Sequence, residues 1–257
     1  MTVVVLMADA PVEGIACAEL VEETPLTPAD GLELYEAVLK DVYQTLAASS
    51  VDVLVNYPAQ SDVSGGKESS LAPETALRKL AGEAVEPDRL ADFRFEVQVG
   101  SDFSAKAGNA ITHLLEDEEV TSAAVLRPCV PRLVRSVVDE ASIKLRRNEV
   151  VLGPAGEGDV FFAGFTAPID FEGVFEDRSL EEVAARAGDE GLTVDFVRNR
   201  EVLRTARDFR SVVTRLRAAV LAGKPVPGHT WSFIEEQGLR VEGGELIVPE
   251  SVETDRS

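Results

Sequence analysis

A strand, a Gly-rich turn and a second strand run together in EVVLGPAGEGDVFFAGF, residues 149–165. Within it, Glu157 and Asp159 supply hard carboxylate oxygens, the donors that Mg²⁺ or Mn²⁺ prefers, and either could serve as a general base. Gly153, Gly156 and Gly158 let a ligand approach the backbone closely, or they simply make the turn. The two acids read equally well as solvated loop residues of an acidic protein. The remaining chemical inventory is thin. His113 sits beside its helix's apolar stripe and His229 lies in the turn PVPGHTW. Neither has a Cys or His partner at metal-binding spacing. The two cysteines, Cys17 and Cys129, make neither a disulfide framework nor a zinc ladder. No Gly-x-Ser-x-Gly elbow, Walker loop or Gly-x-Gly-x-x-Gly turn is present. Arginines 198, 200, 204, 207, 210, 215 and 217 crowd one region. In so acidic a chain they read as a solvated, paired face and not as a nucleic-acid patch.

The elements that must position these groups are legible from periodicity. Short apolar runs at 3–7, 51–57, 93–99, 120–126, 150–153, 160–165 and 192–197 predict strands. Between them lie helical patterns. Pro28 opens a helix with Leu32, Leu34, Tyr35, Val38, Leu39, Val42 and Leu46 on one stripe. Further helices are predicted over 73–82, over 130–145, over 180–187 and over 205–221, and Ser101 or Asp102 caps another containing Phe103, Ala107, Ile111 and Leu114. Residues 61–70 read as a polar loop. Strands alternating with helices of this length predict an α/β, three-layer domain over 1–222, a mostly parallel sheet with helices on both faces. Residues 223–257 read as a small appendix: a short helix near Trp231, a hairpin turning at Gly243 and Gly244, and a loose tail.

Charge bounds the partners. The 257 residues carry 46 acidic and 25 basic side chains, a formal net charge of −21, and only six of the basic residues are Lys. Nucleic acid and anionic membrane are disfavoured as partners, since both are negative. An acidic, lysine-poor globular chain resembles the cytoplasmic proteins of extreme halophiles. There the Debye length falls to about 3 Å and crowded carboxylates repel weakly. The N-terminal run has no basic leader and no stretch approaches membrane-span length, so a cytoplasmic protein is expected.

Four stretches carry a resemblance: ADAPVEGIACAEL, LELYEAVLKD, QVGSDFSAKAGNA and VVLGPAGEGDVFFAGF. Together with the order of elements they resemble the glycosyltransferase A, or nucleotide-diphospho-sugar transferase-like, fold. Within it they resemble a little-characterised prokaryotic glycosyltransferase-like family, of which this chain would be a divergent, haloarchaeal member. The resemblance covers roughly residues 3–215. It implies a nucleotide or nucleotide-sugar ligand, phosphates held by the loop after the first strand, and a divalent metal held by acids after a central strand. It brings Pro11, Gly14, Cys17, Arg127, Cys129, Gly158 and Arg204 to one nucleotide cleft.

The chemistry at those positions departs from the family. A Lys before the Pro becomes Asp9, and a Lys-Thr-Arg run becomes Cys17, Ala18 and Glu19. The central Gly-Ser-Asp-Ser-Pro becomes Arg127, Pro128, Cys129, Val130 and Pro131; a later Asp-x-Asp-Thr becomes Val202, Leu203, Arg204 and Thr205; Asp-Gly-Gly becomes Glu157, Gly158 and Asp159. A diphosphate needs Mg²⁺, Lys or Arg, and thiols and valines do not replace them. Two unit charges about 4 Å apart interact by roughly 4 kcal/mol at an effective dielectric near 20, so acids at 9 and 19 oppose phosphate binding. The expectation is a degenerate, non-catalytic ligand- or partner-binding protein. One alternative is an active nucleotide-sugar or nucleotidyl transferase using Glu157 and Asp159 for Mg²⁺ or Mn²⁺. Another is a regulatory protein docking through the appendix. Arg127 and Arg204 either hold an anion without metal or pair with carboxylates. Cys17 and Cys129 are either a redox or soft-metal pair or small apolar replacements, and in both cases they should be neighbours across the cleft.

Overall fold

The computed structural model describes residues 1–63 and 71–249. In chain order the elements are β1 (Thr2–Met7), α1 (Ala18–Glu22), α2 (Pro28–Ala48), β2 (Asp52–Tyr57), α3 (Pro73–Ala84), α4 (Pro87–Leu90), β3 (Phe93–Val97), α5 (Phe103–Thr112), β4 (Ser122–Leu126), α6 (Arg135–Lys144), β5 (Val150–Pro154), β6 (Val160–Phe165), α7 (Ser179–Asp189), β7 (Val194–Phe196), α8 (Ala206–Leu221), α9 (Gly228–Glu236), β8 (Arg240–Glu242) and β9 (Glu245–Ile247). Part of the expected polar loop at 61–70 and the whole expected tail at 251–257 lie outside the described residues. Among the described residues no helix is long and apolar enough to cross a membrane.

Seven strands form one sheet in the order β3-β2-β1-β4-β6-β5-β7, and β8 pairs with β9 in a separate hairpin. The sheet is parallel except at β6, which runs antiparallel to both β4 and β5. Loop length dictates this reversal. Only residues 155–159 join β5 to β6, and a parallel crossover needs a dozen or more. The expected mostly parallel α/β sheet is therefore correct, with one strand reversed.

The strands are apolar throughout because both faces are covered. Along β1, Val4 and Leu6 pack into one core cluster and Val3, Val5 and Met7 into the other. The first cluster is closed by α2, α3, α6, α8 and α9, the second by α5, α7 and the segment around Phe171. Burying each of these side chains is worth about 1.5–3 kcal/mol. Two capping boxes begin the long helices: Thr27 with Asp30 for α2, and Thr205 with Asp208 for α8. The expected helix at 130–145 begins only at Arg135. Pro131 lacks an amide donor and disfavours helix at the residue before it, so 130–134 stays irregular. The short helices α1 and α4 carry no periodicity long enough to be read from sequence.

The appendix is docked. Helix α9 packs on α2, with Phe233, Ile234 and Leu239 buried in the first cluster. Asp41 of α2 is buried and accepts from the His229 amide at 3.1 Å, the Thr230 amide at 2.7 Å and the Thr230 hydroxyl at 2.6 Å. It thereby satisfies the open amides of the α9 N-terminus from outside the helix.

The contact between α5 and the Phe171 segment is tight enough to predict a mutational effect. A Cβ on Gly108 would lie 2.6 Å from the Phe171 Cβ and 2.8 Å from its Cγ. Gly108→Ala is expected to cost about 1–3 kcal/mol by overpacking, measured by urea denaturation. Wild-type stability in that variant would mean the Phe171 segment yields freely.

Candidate functional site

The sheet order changes direction between β1 and β4: β1 leads to β2 on one side and has β4 on the other. Open α/β sheets bind ligands beyond the carboxyl ends of the strands at such a switch point. A cleft of about 450 Å³ lies there, lined by Asp9, Cys17, Glu19, Phe103, Arg127, Cys129, Phe175 and Arg204 together with apolar side chains. A second hollow of about 230 Å³ adjoins it and shares Glu19, Glu176, Val202 and Arg204 with it. Its far wall is the 155–159 loop and the start of α7.

Arg204 divides the two, reaching Glu19 at 3.8 Å and Asp159 at 3.1 Å. Asp159 is the hub of this partition. Its Oδ1 accepts from the Val160 amide at 2.7 Å, the Ser179 hydroxyl at 2.9 Å and the Arg127 Nη2 at 3.0 Å, while Oδ2 takes Arg204. The Arg127 guanidinium is fixed further by Nε donating to the Val160 carbonyl at 2.9 Å and by the Phe103 ring, 4.5 Å from it. Glu157 is exposed and pairs with Arg207 at 3.4 Å. Asp208 is spent on its capping box.

In the alternative of an active transferase, Glu157 and Asp159 would hold a divalent ion. These side chains do not fit one. Metal ligation through Asp159 Oδ2 must compete with Arg204, and bidentate ligation must compete with Arg127, the Ser179 hydroxyl and the Val160 amide as well. Among the described residues no three Asp, Glu, His or Cys side chains converge as a metal set.

Asp9 lines the same cleft and is exposed to solvent, with protein crowded around its carboxyl. The Tyr35 hydroxyl accepts from its amide at 2.8 Å and donates to its carbonyl at 3.0 Å. Desolvation pushes the Asp9 carboxyl up, against the pull of Arg127 and Lys106. A carboxyl whose folded pKa is raised contributes stability that is complete below its unfolded value and lost as pH rises through the folded one. Asp9→Asn is therefore expected to raise the melting temperature slightly at neutral pH, solvent at this exposed position screening most of the effect. The gain should shrink on acidification and vanish below about 3.8, the unperturbed value. A melting-temperature profile against pH tests this, and a gain that grows in acid would reverse the sign.

Cys17 and Cys129 line this cleft together, and each thiol lies within the other's electrostatic reach. Both are free and half-buried. The neighbouring Cys17 thiol, then burial, pushes the Cys129 thiol well up. Cys17 sits at φ 55°, ψ 28°, a left-handed conformation in which a non-glycine residue carries strain.

Of the residues expected at one cleft, Cys17, Arg127, Cys129 and Arg204 line it together. Pro11 is buried beneath the loop, Gly14 is exposed at its turn with φ 84°, and neither lines the cleft. Gly158, at φ 83°, shapes the 155–159 turn without lining either hollow. Glu157 and Asp159 line the second hollow. Sequence reasoning missed Ser179, Phe103 as an Arg127 platform, and Phe175, which meets Phe103 edge-on at 5.6 Å. Phe103 reads as core from helical spacing, and Phe175 lies in a loop with no periodic signal. The histidines stand away from the site, His113 beside Asp117 and His229 beside Gln44. Four of the crowded arginines, 204, 207, 210 and 215, pair with carboxylates.

Comparison with solved structures agrees with this topology. The chain superposes with a TM-score of 0.73 on a protein from Desulfovibrio desulfuricans G20 provisionally named a nucleotide-diphospho-sugar transferase, covering 92% of this chain and 95% of that one at 17% identity. The fold is nucleotide-diphospho-sugar transferase-like. More distant likenesses include a 4-diphosphocytidyl-2C-methyl-D-erythritol synthase from Anaerococcus prevotii, with TM-score 0.48, 13% identity and 84% and 95% of the two chains covered. A cytidylyltransferase from Leptospira borgpetersenii gives TM-score 0.48, 11% identity and 92% and 94% coverage. At these identities the likeness concerns the fold alone. No protein-family model matches the chain, and no curated protein matches it in sequence.

Proposed function

We propose that this transferase-like chain is a metal-independent ligand-binding protein that has given up metal-assisted group transfer. The observation that carries the proposal is the engagement of Asp159 by four donors, two of them arginines, of which Arg204 stands where the family this chain resembles has an Asp. The transferase-like cleft remains, and its lining favours a flat, weakly charged ligand such as a nucleoside. Phe103 and Phe175 offer ring surface, Arg127 a guanidinium plane and Asp9 a hydrogen-bonding carboxyl. Glu19, Asp9 and Glu176 around the same opening oppose a diphosphate.

Calorimetry in molar KCl with nucleosides, nucleotides and nucleotide sugars tests this, each with Mn²⁺ and with a chelator. Binding should be unchanged between the two conditions and should weaken as phosphates are added. Binding of a nucleotide sugar that requires Mn²⁺ and disappears in Asp159→Ala would overturn the proposal in favour of an active transferase.

The docking alternative draws less support. Its appendix is already occupied by α2, through Asp41 and the buried Phe233 and Ile234.

A further inference from the structure

The chain has two cysteines, more than a hundred residues apart in sequence, and the fold brings both to one wall of the cleft. Cys17 ends the loop after β1 and caps α1, whereas Cys129 lies in the turn after β4. Both side chains line the same cleft and are half-buried, within reach of small reagents that enter it. A second observation sets Cys17 apart. Its φ of 55° is a conformation that glycine adopts without strain, yet a thiol-bearing residue occupies it. The Cys129 turn also couples to Arg204, because the neighbouring Leu203 amide donates to the Cys129 carbonyl at 2.8 Å.

We propose that Cys17 and Cys129 form a reversible disulfide that ties the two cleft loops together, with a hydroperoxide as oxidant. One sulfur attacks the peroxide, the O–O bond breaks, and a sulfenic acid and one water form. The second sulfur then displaces the sulfenic oxygen, making the S–S bond and releasing a second water with the thiol protons. Two thiols and one hydrogen peroxide give one disulfide and two waters, so two electrons pass to the oxidant. Cys129 serves as the resolving thiol, since the neighbouring Cys17 and burial push its thiol up and hold it protonated. Closing a loop of this length restricts the unfolded chain strongly.

The test treats the full chain in molar KCl with hydrogen peroxide, then alkylates it under denaturing conditions. Intact mass should show the loss of two hydrogens and no alkylation, both reversed by dithiothreitol, and a non-reducing peptide map should contain a Cys17–Cys129 cross-link. The melting temperature should rise by about 5 °C. Amide exchange at 15–22 and 127–133 should slow. Cys17→Gly, which suits the left-handed backbone and so keeps the fold, should leave Cys129 fully alkylated after the same treatment. Full alkylation of both thiols in the oxidised wild type, oxidation to sulfinic acid without a cross-link, or a disulfide only between two chains would each overturn the proposal. None of these readouts involves a ligand, so the outcome is independent of the binding proposal above.

Discussion

Asp159→Ala is expected to destabilise the protein by about 2–4 kcal/mol and, in the same variant, to open an anion site. The first effect follows from what the carboxylate holds. Arg127 and Asp159 are 15% and 14% exposed, so removing the acid leaves a largely desolvated guanidinium without its counter-charge. The Val160 amide and the Ser179 hydroxyl lose their acceptor as well. The second effect follows from what remains: two guanidiniums, an amide and a hydroxyl converging on one vacated position. That set of donors suits a tetrahedral oxyanion. Inorganic phosphate should therefore raise the melting temperature of Asp159→Ala by more than it raises that of wild type, compared in KCl of equal ionic strength. Asp159→Asn retains one acceptor and should fall between the two in stability. Equal phosphate responses in all three proteins would show that Asp159 does not occupy an anion position.

Asp41→Ala should cost a similar amount, about 2–4 kcal/mol, at a residue that does not line the cleft. Three donors at the start of α9 depend on this one buried carboxylate. Without it the first turn of α9 has no acceptor in a water-poor contact. The single Trp, Trp231, sits on that helix, half-buried against the first cluster. Its emission should shift to the red in the variant, and proteolysis should begin in the 223–227 connection before the sheet unfolds. Asp41→Asn keeps the shape but only one acceptor oxygen and should lose less. Retention of both Trp231 emission and wild-type stability in Asp41→Ala would mean that α9 is held by Phe233 and Ile234 alone.

The architecture was legible because its causes are local and repetitive. The apolar runs of β1, β2, β4 and β5 need cover on both faces, and only an α/β layering supplies it. The reversal of β6 was legible too, in the shortness of the 155–159 loop, though periodicity alone passes over it. The meeting of Cys17 with Cys129 followed from the family resemblance and from nothing in the spacing. The fate of Asp159 was not legible. An acid in a Gly-rich turn reads as a ligand donor until Arg127, Ser179 and Arg204, separated from it by 20 to 45 positions, are seen to converge. Long-range pairing of this kind has no period and no fixed interval. The docking of the appendix failed to show for the same reason, since Asp41 and Thr230 lie 189 positions apart.

Strand β1 lies inside the sheet between β2 and β4, and Thr2 lies 120 positions ahead of Ser122, its neighbour on β4. A ribosome must therefore extrude the whole intervening chain before TVVVLM finds its second partner. Until then this segment is a sticky apolar ribbon with one edge bare, and such ribbons invite neighbouring nascent chains to pair with them. Expression yield should accordingly depend on holdase chaperones and on slow synthesis more than the stability of the finished molecule would lead one to expect.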